Sequence, residues 1–193
     1  SWNNITSIDT YPVSKLLTII IDISNISHNF IDANFSKATY ESTINPANIR
    51  SVIIGNDVSN ISSNTFKDCH NLISVFLPTN NNYTIIENNL FKNCTSLLTI
   101  TIPPNINTIY EESFYNCSSL TSIYFDGSKP DQFIGSGDIT PNVFNDLSDN
   151  CIIYVPSNNT SWNGITKIDS YEVSKLLIIR NRVPWDGPPI TLT

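Results

Sequence analysis

Residues 91–114 read FKNCTSLLTITIPPNINTIYEESF, and this stretch decides the architecture. From Phe91 a cysteine follows at plus three (Cys94), a leucine at plus six (Leu97), and Ile100 and Ile102 at plus nine and plus eleven, before Pro103. The same frame stands upstream as Phe66-Cys69-Leu72-Val75-Leu77-Pro78 and downstream as Phe114-Cys117-Leu120-Ile123-Phe125. A fourth copy, Phe144-Leu147-Asn150-Ile153-Val155-Pro156, keeps the register and replaces the Cys and Leu. Successive Phe residues are 23 to 30 positions apart. Apolar residues two apart read as a short half-buried strand, and self-similarity at this period marks a solenoid. A single coil of this length buries too little to offset the entropy of ordering it, so each coil is stable only between neighbours.

The frame extends outward from those copies. An apolar residue precedes each Phe by five positions (Ile61, Ile86, Ile109, Ile139), and three copies carry another at minus eight, Val58, Tyr83 and Ile106, with Ser136 the exception. Applied to the start of the chain, the offsets place Trp2 and Ile5 in those slots, Val13 and Leu16 in the Cys and Leu slots, and Ile19 and Ile21 on a strand. Between Ile31 and Ile49 the register is lost, to resume at Val52 and Ile54. Residues 161–177, SWNGITKIDSYEVSKLL, match residues 1–17, SWNNITSIDTYPVSKLL, at 13 of 17 positions, so a 160-residue period overlies the coil repeat. Beyond Ile179 the match ends in RNRVPWDGPPITLT, whose prolines at 184, 188 and 189 exclude a central strand or helix.

Composition narrows the function classes. Charged residues make up 14% of 193, and the net charge is -7, so the concentrated basic face that nucleic-acid binding requires is missing. The longest apolar run, Leu16 to Ile21, is strand-sized and far short of a membrane span. The chain opens at Ser1 without an initiator Met or a leader pattern, which reads as a mature or excised segment. Asparagine is abundant, at 27 residues; an AT-rich coding bias produces that, and so does a fold rich in turns, where Asn tolerates the left-handed region.

FKNCTSLLTITIPPNINTIYEESF and FKDCHNLISVFLP resemble the leucine-rich repeats of the BspA-like family, strongly over residues 50–125, less so over 126–181 and weakly over 1–49. The resemblance implies a right-handed leucine-rich-repeat solenoid of about seven coils, with short parallel β-strands on one face and turn-rich backbone opposite. It covers residues 1–181, with an irregular coil at 31–49 and an insertion at 126–140, and an extended proline-containing tail occupies 182–193. It further implies a secreted or surface-exposed protein, on a cell or a virion, associated with adhesion. No cofactor, metal or catalytic role comes with it.

The residues that invite chemistry have plainer readings. Cys69, Cys94 and Cys117 share one slot and read as interior packing, since free Cys is among the most buried residue types. Cys151 stands off that slot, and Cys117–Cys151 is the least implausible bridge. Only His28 and His70 exist and no C-x-x-C occurs, which argues against zinc. His70 adjoins Cys69, but neighbours at a bend seldom face each other, so a thiol–imidazole dyad is not expected. Glu111–Glu112 and Asp131 with Asp138 read as solvated turn residues. Asn-x-Ser/Thr occurs at Asn4, Asn25, Asn34, Asn60, Asn82, Asn93, Asn116, Asn158 and Asn159, an array that a secretory route would glycosylate in part.

Function is therefore sought on surfaces and at the ends of the stack. Trp2 and Trp162 read as spine residues within the repeated end coils, and Trp185, flanked by Pro184 and Pro188 with no slot to fill, reads as a contact to a partner. Two readings follow. The chain is an extracellular structural unit that binds copies of itself head to tail, or it is a monomeric adhesin that binds a glycan or protein on a host or microbial surface.

Overall fold

A computed structural model gives the fold, and describes residues 46–135 and 142–168 except 57 and 166, together with the strand segments at 7–8, 11–12, 18–21, 34–35, 171–172 and 177–180. Seven of its strands line one face: β3 (Thr18–Ile21), β5 (Ser51–Ile54), β7 (Ser74–Phe76), β9 (Thr99–Ile102), β11 (Ser122–Phe125), β13 (Ile152–Pro156) and β16 (Leu177–Arg180). They pair in parallel as β3-β5-β7 and as β9-β11-β13-β16, and Leu98 N–H donates to the Ile73 carbonyl at 3.2 Å across the junction. Four turns are headed by a frame Phe, fewer than the seven coils expected, and the turns joining the outer strands lie largely outside the described residues.

The frame positions are the core. Phe66, Phe91, Phe114 and Phe144 are fully buried and stack ring on ring at 5.5 to 5.6 Å. Ile61, Ile86 and Ile109 lie beneath them, and Val58, Tyr83 and Ile106 fill the slot three residues earlier. Along each strand the pattern alternates, so Val52, Val75, Ile100, Ile123 and Ile153 point inward as the pleat demands.

A second face runs through the shorter strands β4 (Asn34–Phe35), β6 (Asn60–Ile61), β8 (Ile85–Ile86), β10 (Thr108–Tyr110) and β12 (Gln132–Ile134). Its registers correct the sequence reading twice. Phe35 stands opposite Ile61 within the irregular 31–49 coil, and Ile49 is buried in the Leu slot before β5. Phe133 stands opposite Ile109, so it, and not Ile139, holds the minus-five slot, with buried Pro130 at minus eight. β12 therefore keeps the coil register inside the segment 126–140 expected as an insertion; Ile139 lies outside the described residues.

The repeated end segments depart further from expectation. β1 (Ser7–Ile8) pairs antiparallel with β2 (Tyr11–Pro12), and β14 (Lys167–Ile168) pairs in the same way with β15 (Tyr171–Glu172). Thr10 and Ser170 stand where the frame requires a Phe.

Candidate interaction surfaces

On the turn face, every described positive-φ residue other than Gly164 lies two positions before or after a frame Phe: Asn64 and Asp68, Asn89 and Asn93, Glu112 and Asn116, Asn142 and Asp146. Asn and Asp suit that conformation better than other side chains. The strain is repaid by pairing, since the N–H groups of Phe66, Phe91 and Phe114 donate to carbonyls of the next coil at 2.8 to 3.1 Å, and those of Asp68, Asn93 and Asn116 do so at 2.9 Å. A side-chain ladder runs alongside: Asn116 Nδ2 donates to Asn93 Oδ1 at 3.0 Å, and Asn93 Nδ2 to Asp68 Oδ1 at 2.7 Å. Lys92 pairs with Glu112 and lies over the Tyr115 ring.

The sequons divide accordingly. Asn82 and Asn158 are exposed, whereas Asn93 and Asn116 are half-buried with their amides in the ladder. Asn159 caps a 3-10 turn (Thr160–Trp162), accepting the Ser161 N–H and donating to Ser128 Oγ. Asn60 is half-buried on β6 and Asn34 lies on β4. Asn4 and Asn25 lie outside the described residues, as do Trp2, Pro184, Trp185 and Pro188.

All four cysteines are buried, and none is in a disulfide among the described residues. Cys94 Sγ donates to the Phe66 carbonyl and Cys117 Sγ to the Phe91 carbonyl, each at 3.2 Å. Burial pushes the Cys117 and Cys151 thiols up to about 12 and raises Cys94 well above its ordinary value. Cys151 fills the interior position that Leu120 holds one coil earlier while Asn150 is exposed, so the Cys117–Cys151 bridge is not formed. His70 is exposed, its Nδ1 donating to the Asn93 carbonyl at 2.9 Å, while Cys69 faces the interior. The two side chains therefore form no dyad.

Two surfaces stand out. Down the outer face of the strands runs a row of Ile53, Phe76, Thr101, Tyr124 and Tyr154, beside a hydroxyl row of Ser51, Ser74, Thr99 and Ser122. Tyr124 and Tyr154 stack at 4.6 Å, Phe76 is 36% exposed and Leu98, just before β9, is 47% exposed. Read down the copies, the plus-eight and plus-ten positions of the frame would have shown these rows. At the end of the stack, buried Trp162 packs on Phe125 with ring centroids 4.7 Å apart, and its Nε1 donates to the Gly127 carbonyl at 3.0 Å. A Cβ at Gly127 would lie 2.5 Å from Pro104 Cα, so only glycine allows that close approach.

A family model of the BspA-type leucine-rich repeat region, in six copies, matches residues 2–72 and 41–164. A leucine-rich cell surface protein from Faecalibacterium prausnitzii A2-165 is similar at 22% identity and a TM-score of 0.49, over 64% of this chain and 30% of that one. A T. pallidum leucine-rich repeat protein is similar at 21% identity and a TM-score of 0.46, over 79% of this chain and 56% of that one. A leucine-rich repeat protein from Bacteroides ovatus is similar at 27% identity and a TM-score of 0.43, over 57% and 26%. The chain thus spans less than two thirds of each of these structures. No curated protein matches it significantly. No helix among the described residues is long and apolar enough to cross a membrane.

Proposed function

The chain belongs to the BspA-type leucine-rich repeat family, and from that premise we propose that it is an extracellular or cell-surface structural protein whose copies stack head to tail into a rod. One observation carries this reading: the segments near both ends of the strand row share 13 of 17 residues and form the same hairpin. An edge strand of a parallel sheet offers unpaired backbone groups to any chain that can continue it, and a head-to-tail contact repeats without closing. If the route of export is eukaryotic, glycan is carried at Asn82 and Asn158, which are exposed. Negative-stain microscopy of the purified chain is expected to show rods, and deletion of residues 182–193, with Trp185, to shorten them. A monodisperse monomer at high concentration, indifferent to that deletion, contradicts the reading.

A second reading, adhesion to a glycan or protein on another surface, is favoured by the strand face. Its outward positions in β5, β7, β9, β11 and β13 carry no charged residue although the net charge is -7. Replacing Thr99 and Thr101 by Glu is expected to abolish cell binding without unfolding the chain; undiminished binding counts against that face.

A further inference from the structure

The seat occupied by residues 161–180 is matched by a second stretch of the same sequence. Trp162 fills it against Phe125 and the Gly127 carbonyl, Ser161 Oγ accepts the Lys129 N–H at 2.9 Å, and Ile168 is buried. β16 completes it on β13, with Leu177 opposite Ile153 and Ile179 opposite Val155. Each of these residues has an identical counterpart 160 positions earlier: Ser1, Trp2, Ile8, Leu17 and Ile19. Hairpin registers agree as well, Ile8 opposite Tyr11 and Ile168 opposite Tyr171.

The differences are as informative. Of the six positions that differ over residues 161–180, Gly164 and Lys167 are exposed. Gly164 has φ +73° with nothing within 4 Å of an added Cβ, and its counterpart is Asn4, of the residue type that best tolerates that backbone. The seat residues named above are kept, whereas exposed Gly164 and Lys167 and two β16 positions, Ile178 and Arg180 in place of Thr18 and Ile20, vary.

We propose that this seat is exchangeable, so that residues 1–21 of a second copy displace residues 161–180 and dock on β13. The first coil of one copy then serves as the last coil of its neighbour. Topology permits it, because among the described residues β3 stands at the edge of its sheet beside β5 and can receive β13 of the neighbour on its other side. The inference rests on the self-association reading and specifies its contact. The resident segment is tethered and holds the advantage of effective concentration, so exchange requires a high protein concentration or a weakened resident.

The test uses the full chain. Trp162→Ala loosens the resident, and the concentration at which oligomers form in sedimentation velocity is expected to fall by roughly a hundredfold to a thousandfold, as a buried Trp truncation implies. Adding Trp2→Ala removes that gain. Independently of whether Trp162→Ala folds, a fluorescein-labelled peptide of residues 1–21 is expected to raise its anisotropy saturably on the unmodified chain, and its Trp2→Ala version not to. Oligomers indifferent to Trp2→Ala, with no peptide binding, overturn exchange and leave self-association through another surface. A monomer at every concentration in all variants overturns both.

Discussion

At the plus-three position of the first three copies a thiol is small and apolar, and in Cys94 and Cys117 it also gives up a hydrogen to a carbonyl of the preceding coil. The raised thiols carry a pH dependence. A thiol whose folded value lies above its unfolded value of 9.0 leaves stability intact below that pH. As pH rises from there toward about 12, the unfolded chain deprotonates first and stability falls, by up to about 1.4 kcal/mol per pH unit for each such thiol. Urea titrations at successive pH values check this, and the thiols are expected to resist disulfide reagents until the chain unfolds. Phe91→Ala removes a ring from the stacked spine and is expected to cost about 3–5 kcal/mol in the same assay. Tyr83 makes the opposite case: its hydroxyl is buried in a slot that Val58 and Ile106 fill elsewhere, and has no hydrogen-bond partner among the described residues. Tyr83→Phe is expected to stabilise by about 1 kcal/mol or more. The Phe, Cys and Leu slots are legible in the sequence because interior chemistry repeats; the one-residue displacement at Cys151 is not, because a local shift leaves the flanking spacing unchanged.

At the scale of the element, the turn face accounts for part of the asparagine abundance. Five of the eight left-handed positions flanking the frame Phe residues are Asn. Asn93→Ala places a Cβ-bearing residue without that tolerance at φ 63° and deletes two ladder bonds, for an expected loss of about 1–3 kcal/mol. Asn93→Gly loses the ladder bonds and keeps the backbone easy, so it is expected to fall between Asn93→Ala and the parent in urea midpoint. The same ladder governs modification. In material secreted from a eukaryotic host, mass spectrometry after glycan release is expected to mark Asn82 and Asn158 and to leave Asn93 and Asn116 bare. The strands are legible from their period of two, but the hairpins are not: their apolar residues also satisfy the coil offsets, and only the missing Phe at Thr10 and Ser170 separates the readings. Phe133 escapes the frame because Ile139 sits at the expected spacing, whereas strand register is settled by pairing across coils.

For the whole molecule, the offsets reach almost from end to end, so the solenoid and its doubled end segment are legible in the amino-acid sequence alone. The seat for that segment is not, since Phe125, Gly127 and Lys129 meet Ser161 and Trp162 only through the stacking of coils. If copies join by coil exchange, each adds the strands from β3 to β13, six steps along the row. Plain end-to-end contact adds seven, with β16 retained. At roughly 4.8 Å per step these give axial repeats of about 29 Å and about 34 Å. The most direct measurement is therefore the axial repeat of the rods by cryo-electron microscopy. Coil exchange requires about 29 Å with the strand row continuous between copies; a repeat of about 34 Å overturns exchange, and rods whose repeat is no whole number of strand steps, or no rods at any concentration, overturn head-to-tail stacking itself.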